Sequence, residues 1–165
     1  MENVSENERG VESNKIRSLQ NDHYPTDTLV KSENGRSFFK DTYASSITTF
    51  AESSFDLSLL CDFDYKGVDG WVEDVNEKVA GRYTTPVNTS INDQRYSSGP
   101  ISSYVMDIII GGQVRKKFGL VGFESNMEEV VGIDKGIHDS DDRKTLIDEF
   151  AENRHLDRAI SRVMF

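Results

Sequence analysis

Residues 101–123 read ISSYVMDIIIGGQVRKKFGLVGF, two runs rich in strand-forming residues on either side of the pair Gly111-Gly112. Glycine adopts positive φ without a Cβ clash, so the pair suits the two-residue turn that joins antiparallel strands. The spacing predicts a hairpin of Ile101 to Ile110 against Gln113 to Phe123. A register without irregularity sets Val105 opposite Phe118, Ile109 opposite Val114 and Asp107 opposite Lys116, so that apolar groups and unlike charges meet. It also lays Tyr104 over Gly119, an aromatic beside a strand glycine.

Upstream of the hairpin, Phe55, Leu57, Leu59, Cys61, Phe63 and Tyr65 alternate with Asp56, Ser58, Leu60, Asp62 and Asp64, which predicts a strand over 55–65 with one apolar face. In that pattern Cys61 is a small buried hydrophobe. Asp69 is placed to cap a helix near 70–80, with Val72, Val75 and Val79 on one stripe and Gly81 as its stop. Residues 82–100 are polar, hold Pro86 and the run Ser97-Ser98-Gly99-Pro100, and read as a long loop. After the hairpin, Ser125-Asn126-Met127-Glu128 resembles a capping box for a short helix ending at Gly132. Two C-terminal apolar stripes, Leu146, Ile147, Phe150 and Ala151, then Leu156, Ala159, Ile160, Val163 and Met164, are out of phase and predict helices 141–153 and 155–164 meeting near Asn153. The fold expected is α+β: a small antiparallel sheet, strand 55–65 plus hairpin 101–123, packed with these helices. Residues 1–40 have few large apolar side chains and no period, and read as a disordered tail ahead of a single domain over 41–165.

The chain of 165 residues has 19 Lys and Arg against 29 Asp and Glu, a formal charge of −10. That charge repels phosphate backbones and makes nucleic acid a poor partner. The tail is nearly neutral, with six basic and seven acidic residues, so the acidity belongs to residues 41–165 and peaks in 124–157, with eleven acids against four bases. A single cysteine rules out an intramolecular disulfide framework. The opening MENVSENERG has neither the basic nor the apolar region of a secretory signal, and no apolar run is long enough to span a bilayer, so an intracellular, cytoplasmic protein is expected.

Three groups of residues carry candidate chemistry. Asp62, Asp64 and Glu73 fall at positions 1, 3 and 12 of a calcium-loop spacing, with Gly67 at 6, but Lys66 stands where an oxygen ligand belongs. The competing reading is a strand end, a Lys-Gly turn and a capped helix. His138, Asp139, Asp141 and Asp142 cluster before a helix, where carboxylates cap free amides and favour the dipole. Arg115, Lys116 and Lys117 would suit contact with an anion or an acidic membrane surface, or else protect a strand edge. No zinc, nucleophile-elbow or phosphate-loop motif is present, and no cofactor is implied.

In the tail, Tyr24-Pro25-Thr26-Asp27-Thr28-Leu29 places two apolar anchors, Tyr24 and Leu29, on a segment that Pro25 holds extended. This string resembles the late-domain peptides of viral matrix and Gag proteins, and a tail of this kind ahead of a small α+β domain is similar in layout to a rhabdovirus-type matrix protein. The resemblance implies a structural role at a membrane, in a virion or host cytoplasm. The tail departs from it in lacking the basic charge such proteins use on anionic membrane. The residues themselves point to a non-catalytic, acidic protein-interaction module with a flexible arm that binds protein partners; Leu60, Val121 and Phe123, opposite the core faces of their strands, would pair with a second sheet layer or with another subunit in self-association. The competing class is a small metal-dependent hydrolase built on Asp62, Asp64 and Glu73 or on Asp139, Asp141 and Asp142.

Overall fold

The Gly111-Gly112 turn forms with both residues at positive φ, 61° and 78°, as a type I′ hairpin demands. It lies in a computed structural model of the chain, which describes residues 36–133, 139–152 and 154–164. The described elements run α1 (Arg36–Glu52), β1 (Ser58–Asp62), α2 (Gly67–Val79), β2 (Val87–Ser98), β3 (Ile101–Ile110), β4 (Gln113–Phe123), α3 (Met127–Val131), α4 (Ser140–Glu152) and α5 (His155–Ser161). The fold is α+β, with a four-stranded sheet ordered β1-β4-β3-β2.

The sheet is mixed rather than wholly antiparallel. β2, β3 and β4 form an antiparallel meander, while β1 lies parallel to β4, Ser58 beside Gly119 through Asp62 beside Phe123. The predicted hairpin register holds at Ile109 opposite Val114 and then slips by one, because Arg115 is an extra residue opposite the Ile108-Ile109 step. Asp107 therefore faces Lys117 rather than Lys116, Val105 faces Gly119, and Tyr104 faces Leu120.

The segment read as a loop contains β2. Two bulges hid it: Asn92 and Arg95 each add a residue against β3, so the side-chain alternation restarts twice in one strand. Ser97 and Ser98 stay in the strand opposite Ser102 and Ile101, and Gly99-Pro100 is the turn into β3, with Gly99 at φ 57°. The strand over 55–65 shortens to Ser58–Asp62, since Asp64 and Tyr65 turn left-handed at φ 46° and 64°. Helix α2 begins at Gly67, so Asp69 lies in its first turn rather than capping it. The helix from Arg36 starts inside the segment assigned to the tail, and its Tyr43, Ala44, Ile47, Phe50 and Ala51 supply an apolar stripe.

Each face of the sheet carries a core. On one, Leu59, Tyr104, Met106, Ile108, Phe118 and Leu120 pack with Tyr43 and Ile47 of α1 and Trp71, Val75 and Val79 of α2. On the other, Ile101, Val105, Val121 and Phe123 pack with Ala159 of α5 and Val163 just beyond it, joined by Phe150 of α4. Val121 and Phe123 are therefore covered by the chain's own C-terminal helices and are not available to a second subunit. Two glycines make these approaches possible: a Cβ at Gly122 would lie 2.0 Å from the Phe63 ring, and one at Gly119 would lie 2.6 Å from the Val163 carbonyl.

Candidate functional site

The two outer strands of the sheet are treated differently. At β2, the Asn76 side chain of α2 imitates a missing strand, donating to the Thr89 carbonyl at 2.9 Å and accepting from the Thr89 N–H at 2.7 Å. The bulges at Asn92 and Arg95 break the ladder further along. A bulged and side-chain-capped strand does not template another.

At β1 the ladder to β4 is regular. It opens with the Gly119 N–H donating to the Leu57 carbonyl at 2.9 Å and closes with the Phe63 N–H donating to the Phe123 carbonyl at 2.8 Å. In a parallel pair, alternate residues of a strand direct both backbone groups to the same neighbour. Leu57, Leu59, Cys61 and Phe63 thus face β4, and the N–H and C=O groups of Ser58 and Leu60 point away from the sheet. No described strand covers that side.

Side chains around this edge are apolar and unusually accessible. Leu60 is 48% exposed, Phe55 75% and Met127 39%. Leu60 and Asp62 share a face of β1, and the Asp62 carboxylate accepts from the Met127 N–H at 2.9 Å, which places the start of α3 beside Leu60. Past β1, the left-handed Asp64-Tyr65 pair is clamped to the segment before α3: their amides donate to the carbonyls of Ser125 and Glu124, at 2.9 and 2.8 Å. The Tyr65 hydroxyl donates to Glu129, which raises its pKa above the ordinary tyrosine value. Helix α3 is itself capped by Asn126, whose side chain accepts from the Glu129 N–H at 2.8 Å, and it ends at left-handed Gly132. The cap is Asn126, one residue beyond the predicted Ser125.

Of the candidate metal residues, Asp62 is engaged with the Met127 N–H. With α2 starting at Gly67, the second half of the calcium-loop spacing is helical, and Glu73 is exposed on that helix. No group of three or more His, Cys, Asp or Glu able to hold a metal occurs among the described residues. Asp139 accepts from the Asp141 N–H at 2.8 Å at the start of α4, a capping arrangement; His138 lies outside the described residues.

Arg115, Lys116 and Lys117 do not form one patch. Lys116 reaches one face, donating to the Ser53 carbonyl beyond α1 at 2.6 Å with its ammonium 4.8 Å from the Phe50 ring centre. Lys117 reaches the other and pairs with Asp107 at 2.7 Å, while Asn92 donates to the second Asp107 oxygen at 3.0 Å. Arg115 occupies the bulge and is exposed. Tyr24, Pro25 and Leu29 lie outside the described residues. Leu60 is legible in the sequence as an apolar residue on the polar face of its strand; that β1 is an outer strand depends on its pairing with residues about sixty positions away. Compared with protein-family models, curated proteins and solved structures, the chain has no match.

Proposed function

We propose that the protein is a non-catalytic, acidic interaction module that binds other proteins through the β1 edge and the adjoining start of α3. The observation that carries this reading is the contrast between the edges: β2 is closed by Asn76 and two bulges, whereas β1 presents the outward backbone groups of Ser58 and Leu60 beside exposed Leu60 and Met127. Of the devices with which native domains blunt an edge, β1 has short length and flanking carboxylates but no proline or bulge, and its exposed apolar side chains suit it to binding.

The test compares capture of proteins from the source cells by the wild-type chain and by Leu60→Asp, at low and high salt. Proteins bound through this edge are expected to be lost with Leu60→Asp and weakened by salt, because the surface is acidic. The same proteins captured equally by both chains at both salt levels would overturn the reading. So would a rise in melting temperature at millimolar Ca²⁺, Mg²⁺ or Mn²⁺, which mass action requires of a metal-dependent enzyme.

A further inference from the structure

The interaction reading leaves open what lies against β1. We infer that the occupant is an extended segment of a partner protein, with an apolar centre and Lys or Arg at its ends, added beside β1 as a fifth strand. This rests on the interaction reading and names its ligand. Ser58 and Leu60 offer two donors and two acceptors at strand spacing, enough for the backbone of a short extended peptide. Leu60 and Met127 supply the apolar contact on one side of it.

Charge decides between occupants. Residues 52–64 hold four carboxylates, Glu52, Asp56, Asp62 and Asp64, and residues 124–131 hold three, Glu124, Glu128 and Glu129; neither segment contains a lysine or arginine. A second copy added antiparallel about Leu60 would set one segment rich in carboxylates and without lysine or arginine against another of the same kind. A basic strand meets the exposed carboxylates of Asp56 and Glu128 as partners. The short length of β1 matches a peptide rather than a broad face.

The experiment follows backbone amides of the full chain by NMR while titrating the blocked peptide Lys-Thr-Val-Thr-Val-Lys or its counterpart with glutamate at both ends. The lysine peptide is expected to shift the Ser58 and Leu60 amides and to bind about tenfold or more tightly than the glutamate peptide. Leu60→Pro removes an outward N–H together with the exposed leucine side chain, changes that an edge strand tolerates, and should abolish binding with the fold intact by circular dichroism. Should that variant not fold, Asp56→Lys with Glu128→Lys leaves the ladder whole and should reverse the preference to the glutamate peptide. Equal binding of both peptides, or shifts along β2 instead, would overturn the inference. Sedimentation as a dimer with Ser58 and Leu60 protected from exchange would replace the peptide by a second copy. Partner capture that is lost with Leu60→Asp, but without any peptide binding, would remove this inference and leave the interaction reading standing.

Discussion

At Gly122 the Phe63 ring crosses β4 so closely that a Cβ would sit 2.0 Å from its Cζ. Phe63 is fully buried in the first core, so neither partner can retreat without opening a void. Gly122→Ala is expected to cost about 2–4 kcal/mol in urea unfolding, and Phe63→Leu in the same chain to recover part of it, since the smaller side chain yields the space. An additive double variant would show that the two side chains do not compete. Tyr43 poses a different residue-level question. Its buried hydroxyl is 3.0 Å from the Thr89 hydroxyl, and burial, the larger influence, pushes its pKa far above the ordinary value. The folded chain thus keeps a proton that the unfolded chain releases. The associated stability is whole below pH about 10 and is lost as pH rises from there toward the folded value. Ultraviolet titration should show one tyrosine that ionises only as the chain unfolds in alkali. Ionisation of every tyrosine before unfolding would contradict this.

The bulge at Arg115 rather than the turn sets the charge pairing of the hairpin, because it moves Lys117 onto the face of Asp107 and Lys116 onto the opposite one. The Asp107 side chain is 10% exposed and Lys117 46%, so removing the lysine strands a nearly buried carboxylate with Asn92 as its remaining described partner. Lys117→Met should cost about 1–3 kcal/mol and Asp107→Asn in the same chain should restore much of it, whereas Lys116→Met should cost about 1 kcal/mol. Equal losses at the two lysines, measured by urea unfolding, would show that Asp107 does not need its ion pair. Elements legible in the sequence are those whose signal is local: the Gly111-Gly112 turn, the valine stripe of α2, and the phase break between α4 and α5 where Arg154 turns left-handed. β2 was hidden because bulges reset a period-two pattern, and α1 because its stripe is diluted by Thr42, Ser45, Ser46, Thr48 and Thr49. The candidate site was half legible: Leu60 stood out, but parallel pairing of β1 with β4 is a long-range choice made by packing.

For the whole described fold, the arrangement of cores has a thermodynamic consequence. Along β3, Tyr104, Met106 and Ile108 serve the first core while Ile101 and Val105 serve the second; along β4, Phe118 and Leu120 alternate with Val121 and Phe123. Central strands shared in this way cannot release one layer without uncovering apolar side chains on the other face, at about 25 cal/mol for each Å² exposed. The acidic surface works against compaction but acts on both layers together. Unfolding should therefore be a single transition. Trp71, the only tryptophan, lies in the first core and reports on α1 and α2, whereas exchange of the Val105 and Val121 amides reports on the central strands, and Ala159 on α5. Fluorescence and hydrogen exchange at these positions should give coincident urea midpoints. If the Ala159 amide instead opens at a lower midpoint than Trp71 responds, α5 is a detachable cover, and the face of Val121 and Phe123 becomes an exposed surface after all.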